Sequence, residues 1–348
     1  MKSKNLIASI LVIGTVTTAV TTVVTISEPT LTSAWADTNT TTQDTGSATS
    51  ATSSQVHTLS KSYVVYGAGA SQQSTLSTIL GVTNNYQQLT TTGADAAQYL
   101  GLSGVADSAM ISSVAVAPAE PGTGILVNIK DFNGQNNITQ VTSQQYSMAA
   151  TMAGVKDVII TVSANQPVSG EAALAGVYKA LSTDGATIDP TNTTAANNVM
   201  SATQSAINAN PNDKSYAGKL TSAVTQTAGQ VAQKKQDGQT INVNIIINQL
   251  NINLQKQGIA NKTSDAQVQS IATALQGVAD APISNSSAFV SQAKNLAGRL
   301  SGSVGNIMAQ AKDFANSADV KQAANWFIAN VWNPVVSWFQ SIFGQSSN

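Results

Sequence analysis

Apolar positions change texture three times along the chain. From Leu6 to Ile26 they form an apolar run whose second half is dotted with threonine. From Tyr63 to Leu181 short β-rich runs alternate with stretches of helical spacing, and beyond Asp189 apolar residues recur every third or fourth position among Ala, Gln and Asn. In the middle texture, Val64-Val65-Tyr66, Met110 to Ala117, Gly124 to Lys130 and Asp157 to Val162 read as strands. Pro118-Ala-Glu-Pro-Gly122 joins two of them as a tight loop, so Met110–Ala117 and Gly124–Lys130 are expected to pair as neighbours.

Helices alternate with these strands. Ser71 stands as an N-cap ahead of Leu76, Ile79 and Leu80, with Gly81 as the stop. Thr142-x-x-Gln145 is a capping box opening a helix with Tyr146, Ala149, Ala150 and Ala153 on one stripe, small enough for close docking. Ser169-Gly170-Glu171 opens another, with Leu174, Val177, Tyr178 and Leu181 on its apolar face. Then Thr191–Ala209, Ser215–Lys235 and Asp265–Val278 read as helices, and Ile241–Leu254 as a helix followed by a short extended piece. The expected class is α+β: a small mixed or antiparallel sheet with packed helices, followed by a mainly helical C-terminal region.

The flanks set the organisation. Lys2 and Lys4 precede the apolar run, and Ser33-Ala-Trp-Ala36 offers a small-x-small cleavage site. Residues 1–36 therefore read as a secretory signal cleaved after Ala36, which makes the protein extracellular; threonines from Thr15 to Thr25 weaken the rival reading of a membrane anchor. Residues 37–60, rich in Ser and Thr, read as a disordered linker in which His57 is a solvated residue. The α+β domain is placed at 61–260. A helical region follows at 261–348 and ends in an aromatic amphipathic helix pair.

Composition narrows the chemistry. Charged residues are only 9% of the chain and the net charge is −1; removing 1–36 takes away Lys2, Lys4 and Glu28 and leaves about −2. There is no basic footprint for a phosphate backbone, so nucleic acid is not an expected partner. With no cysteine and one histidine, neither a disulfide framework, nor a zinc site, nor a histidine-activated nucleophile is expected.

Gly67-Ala-Gly69 after the first strand raises the question of a dinucleotide fingerprint. The third glycine position holds Gln72, and no acidic residue stands about twenty residues past the turn to hold a ribose, Asp95 being the nearest. No cofactor is expected. Asp184-Gly185-Ala-Thr-Ile-Asp189 reads as a turn, since it lacks the periodicity of a calcium loop. Asp131, Asp157 and Glu171 keep open one alternative, a carboxylate-dependent hydrolase acting on wall polymer. Each also has an ordinary role at a strand or helix end, and the chain is read as non-enzymatic.

The C-terminus supplies the candidate interaction surface: Trp326, Phe327, Val331, Trp332, Val335, Trp338, Phe339, Ile342 and Phe343, with Asn333-Pro334 dividing two helices. Two readings stand. The stripe packs back on the preceding helix, whose face is Phe289, Ala293, Leu296, Leu300, Val304, Ile307, Ala311 and Phe314, with Gly298, Gly302 and Gly305 allowing close approach; or it docks on an envelope component, a membrane interface or a second copy. No LPxTG-like motif is present, so any attachment to the cell surface is expected to be non-covalent.

Several blocks carry a family likeness: Ile111-Ser-Ser-Val114, Gly124-Ile-Leu-Val-Asn-Ile129, Asn137-Ile-Thr139, Gln145-Tyr-Ser-Met-Ala-Ala150, Ala153-Gly-Val-Lys-Asp-Val158 and, most specifically, Val168-Ser-Gly-Glu-Ala-Ala-Leu-Ala-Gly-Val-Tyr-Lys-Ala180. Through them the chain resembles the YpuA-like secreted family of Gram-positive bacteria, domain of unknown function 1002. The likeness is clear from Tyr63 to Leu181, fades towards Leu254 and lapses after Gly258. It implies that Gly67–Ser71 is a plain turn into a helix, and it carries no activity, substrate or catalytic residue to transfer.

Overall fold

The computed structural model describes residues 56–305. Five strands, β1 (Ser62–Gly67), β2 (Tyr86–Thr91), β3 (Ser113–Pro118), β4 (Ile125–Ile129) and β5 (Val158–Ser163), form one mixed sheet in the order β2-β1-β3-β5-β4. The α+β class is as the sequence predicts.

Alternation along β1 explains how the sheet is covered. Tyr63 and Val65 face the main core, while Val64 and Tyr66 face a smaller cluster with Leu76 and Leu80 of α1 (Gln73–Leu80). The opposite face carries α2 (Gly93–Leu100), α3 (Ser143–Met152) and α4 (Glu171–Thr183). Helix α4 lies close to the sheet because Gly176 has no side chain: a Cβ there would stand 2.8 Å from Val114 and 3.2 Å from Val65. Every residue of α3 is buried, as its small-residue stripe predicts.

Beyond these helices lie α5 (Pro190–Asn208), α6 (Tyr216–Gln236), α7 (Val243–Lys256), α8 (Asp265–Asp280) and α9 (Ser287–Leu300). Helix α6 is their hub, packing on α7, α8 and α9. The apolar core runs without a break from Leu59 through Leu174, Val224 and Leu250 to Ala293. The boundary placed between residues 260 and 261 therefore does not separate two cores.

Four expectations are corrected. Strands β3 and β4 are not neighbours, because β5 lies between them, antiparallel to β3 and parallel to β4. Gln72 in a left-handed conformation, not Ser71, precedes α1; the Ser71 hydroxyl instead accepts from Asn165 Nδ2 at 2.8 Å. Helix α7 is helical to Lys256 with no extended piece, Asn242 capping it through Ile245 N at 3.1 Å. The fold also takes in the end of the predicted linker: His57 donates its N–H to Gly154 O (2.7 Å), accepts from Lys156 N (2.8 Å) and is half-buried, while Leu59 is buried.

Candidate functional site

The glycine-rich turn was the first candidate, and its backbone amides are already engaged. Gly67 N donates to Ser113 Oγ (3.2 Å), Ala68 N to Thr91 O (2.8 Å), Gly69 N to Met110 O (2.8 Å) and Ala70 N to Gly67 O (2.9 Å). The glycines are required by close backbone approach: a Cβ on Gly67 would stand 2.1 Å from Met110 O, and one on Gly69 2.2 Å from Ser108 O. The turn clamps β1, β2 and the strand-entry segment together, with no amide of Gly67–Ala70 aimed at a ligand.

The three carboxylates are not brought together. Asp157, buried and at φ 50, accepts from Gly124 N at 2.7 Å where β4 and β5 begin, with Lys156 Nζ 3.6 Å away. Asp131 lies past the far end of β4, roughly 20 Å away at 3.3 Å per residue. It is exposed in a shallow, open depression of about 440 Å³ with Ser74, Thr75, Thr78, Ile79 and Asn133. Glu171 opens α4 on the other face of the sheet and accepts from Ser169 Oγ at 3.3 Å. Glycosidase carboxyls sit within about 10 Å of each other across one bond, which the Asp131–Asp157 pair does not satisfy.

Charges and hydroxyls missed in the sequence reading hold the structure instead. Asp95 Oδ2 accepts from Lys179 Nζ (2.7 Å), Thr92 N (2.7 Å) and Thr92 Oγ1 (3.0 Å), completing a capping box on α2; the Thr92-x-x-Asp95 spacing was a legible signal for it. Asp184 takes hydrogen bonds from Ser60 N (2.5 Å), Ser60 Oγ (2.9 Å) and Tyr63 OH (2.8 Å). Burial opposes its ionisation, yet these donors hold its carboxyl below the usual value, while burial and Asp184 together push the Tyr63 phenol up to about 12. Arg299, the chain's single arginine, donates from Nη1 to Thr123 O at 2.5 Å beside Asp157, and burial pulls its pKa down against that carboxylate. Among the described residues no group of three or more His, Cys, Asp or Glu is placed to hold a metal, and no helix is long and apolar enough to cross a membrane.

Residues Trp326, Phe327, Val331, Trp332, Val335, Trp338, Phe339, Ile342 and Phe343 lie outside the described residues. Phe289, Ala293, Leu296 and Leu300, which belong to the helix face expected to receive their stripe, are buried, and α9 lies against α6; a Cβ on Gly229 of α6 would approach Ala293 Cβ to 2.9 Å. A Cβ added at Gly298 would meet nothing within 4 Å among the described residues. The chain's last described turn is pinned: Ser143 Oγ and Gln144 Nε2 both donate to Gly305 O (2.8 and 2.9 Å), Gln144 Nε2 reaches Ser303 Oγ (3.2 Å), and Gly218 leaves room for Ser303 O. Val304 at this exit is 50% exposed.

The fold thus defines an α+β module whose polar groups work mainly on one another. The chain belongs to the family described as protein of unknown function (DUF1002), whose model matches residues 66–296. It is similar, at 35% identity over 104 residues, to the uncharacterised protein YpuA of Bacillus subtilis (strain 168); the match covers 29% of this chain and 34% of that relative, about a third of its length. No solved structure matches significantly. The block most characteristic of the family, Val168–Ala180, has packing duties throughout. Gly170 adopts φ 109 with its carbonyl accepting from Tyr146 OH at 2.6 Å, Gly176 seats α4, Tyr178 is fully buried, and Lys179 ties α4 to α2.

Proposed function

We propose that the protein is a secreted, non-enzymatic binding or structural protein of the cell envelope, whose segment 319–348 is the associating element. One observation carries this: the chain is pinned at Gly305 by Ser143 and Gln144 before running on to the aromatic stripe, and the Phe289–Ala293 part of the α9 face lies in the main core against α6. A folded body that fixes the root of an amphipathic segment suits presentation to an outside partner. The low charge supports a neutral partner surface over an anionic one.

The test is to express the chain with and without residues 319–348 in a Gram-positive host and follow its distribution between cell surface and medium. Deletion is expected to leave the circular dichroism spectrum and melting of the body unchanged while releasing it to the medium. Equal distribution of the two forms overturns the proposal.

A further inference from the structure

The two outer edges of the sheet are treated differently. At β4, α3 packs over the edge strand, and Ser147 Oγ donates to Ile125 O at 3.4 Å; Gly124 O is already taken by Val158 N, so Ile125 O is the carbonyl that points away from β5. At β2 no described strand pairs on the outer side.

The parity of the β1–β2 ladder says which groups stand free there. Thr91 O accepts from Ala68 N at 2.8 Å, so Thr91, and with it Leu89 and Gln87, direct their backbone groups towards β1. In a parallel pair the intervening residues face the other way, which leaves the backbone groups of Gln88 and Thr90 aimed outward. The side chains of Gln87, Gln88 and Thr90 are exposed, and the strand Tyr-Gln-Gln-Leu-Thr-Thr has no charge, proline, glycine or bulge. Natural sheets blunt open edges with charge, proline or a bulge among other devices, and this strand carries none of those three.

We propose that β2 is a self-pairing edge, onto which β2 of a second copy of this chain adds in antiparallel sense across a twofold axis. Such pairing is self-complementary: each copy offers outward amides and carbonyls at the same two positions, and Gln88 of each copy stands opposite Thr90 of the other, with the two Gln88 side chains diagonal to one another across the axis. Charge permits it. The edge is neutral and the whole chain carries a net charge of −1, so two copies meet without appreciable repulsion. Six residues give an edge roughly 20 Å long, which places a dimer held by it alone among weak interfaces burying under about 1,200 Å².

Sedimentation equilibrium and amide hydrogen exchange on the full chain test this. A dimer is expected whose fraction grows with concentration, with exchange at Gln88 and Thr90 slowing in step. Gln88→Lys is expected to weaken it about tenfold by setting like charges across the axis, and mixing Gln88→Lys with Gln88→Glu chains to restore it. Thr90→Pro is expected to abolish it while keeping the fold, because that position's N–H is not part of the β1 ladder. A chain monomeric at all concentrations overturns the proposal. So do Gln88 and Thr90 amides protected independently of concentration, or association untouched by the charge variants; that last result would leave the role assigned to 319–348 standing.

Discussion

Replacing Gly67 by alanine separates a structural glycine from a ligand-binding one. The added Cβ would lie 2.1 Å from Met110 O, 2.6 Å from Met110 C and 2.9 Å from Ile111 C, all backbone atoms that no rotamer change can move. Restoring ordinary contact needs more than 1 Å of separation between β1 and the segment leading into β3. That shift breaks the Gly69–Met110 hydrogen bond and strains Ala68–Thr91, each worth about 1 kcal/mol, on top of about 1–3 kcal/mol of overpacking. The expected loss is about 3–5 kcal/mol, or roughly 10 °C in melting temperature for a body of this size.

Gly298→Ala is the control. It lies on the exposed side of α9 with nothing within 4 Å of the new Cβ among the described residues, and a gain of about 0.5–1 kcal/mol is expected from helix propensity alone. Urea titration followed by circular dichroism measures both. Gly67→Ala with unchanged stability would refute the clamp, and a nucleotide bound by the wild type but not by that variant would reinstate the phosphate loop.

Three further outcomes are expected. Arg299→Met leaves Thr123 O without its donor and Asp157 buried with only Lys156 near it, so unfolding in urea should come earlier by about 2–3 kcal/mol. Thr142→Ala removes the cap on Gln145 N, and should cost about 1 kcal/mol by the same titration. Stability should vary with pH at both ends, read as melting temperature across a pH series. Burial holds the His57 pKa below its ordinary 6.5, so the unfolded chain binds the proton more readily and stability falls as pH drops below about 6.5. Tyr63, raised from 10 to about 12, contributes fully below pH 10 and loses its contribution as pH climbs from 10 towards 12. His57→Gln should flatten the acid limb and Tyr63→Phe the alkaline one.

Helices were the more legible part of this sequence, because caps and stripes are local: Thr142–Gln145 gives α3 its start, and Leu174, Val177, Tyr178 and Leu181 give α4 its face. Strand β2 was illegible for a physical reason. An edge strand of Gln and Thr shows neither the apolar run of a buried strand nor a clean alternation, and it forms because β1 offers it a partner. The β3–β4 adjacency failed because both strands are largely buried, so their patterns hold no register, and Pro118–Gly122 reads as well for a loop that steps over one strand as for a hairpin. For the site, the glycine turn follows β1 and leads towards α1, as its sequence suggests. Arg299, Asp184 and the Lys179 partner of Asp95 were passed over because each pairing joins distant segments that spacing does not reveal, whereas the Thr92–Asp95 capping box was legible and missed.

The placement of β5 bears on how the molecule comes into being. It is the last of the described strands in the sequence and fills the gap between β3 and β4. A polypeptide delivered amino end first therefore waits, with a three-stranded fragment and a lone ribbon, until Ser163 has emerged. During that interval the Val- and Ile-rich flanks of the gap are bare, the circumstance in which nascent chains stick to one another. Because the completing contacts join segments far apart in sequence, closure is slow compared with a helical bundle of similar length. A chaperone that shields residues 113–129 until the closing strand arrives would act at the step where this architecture is most exposed.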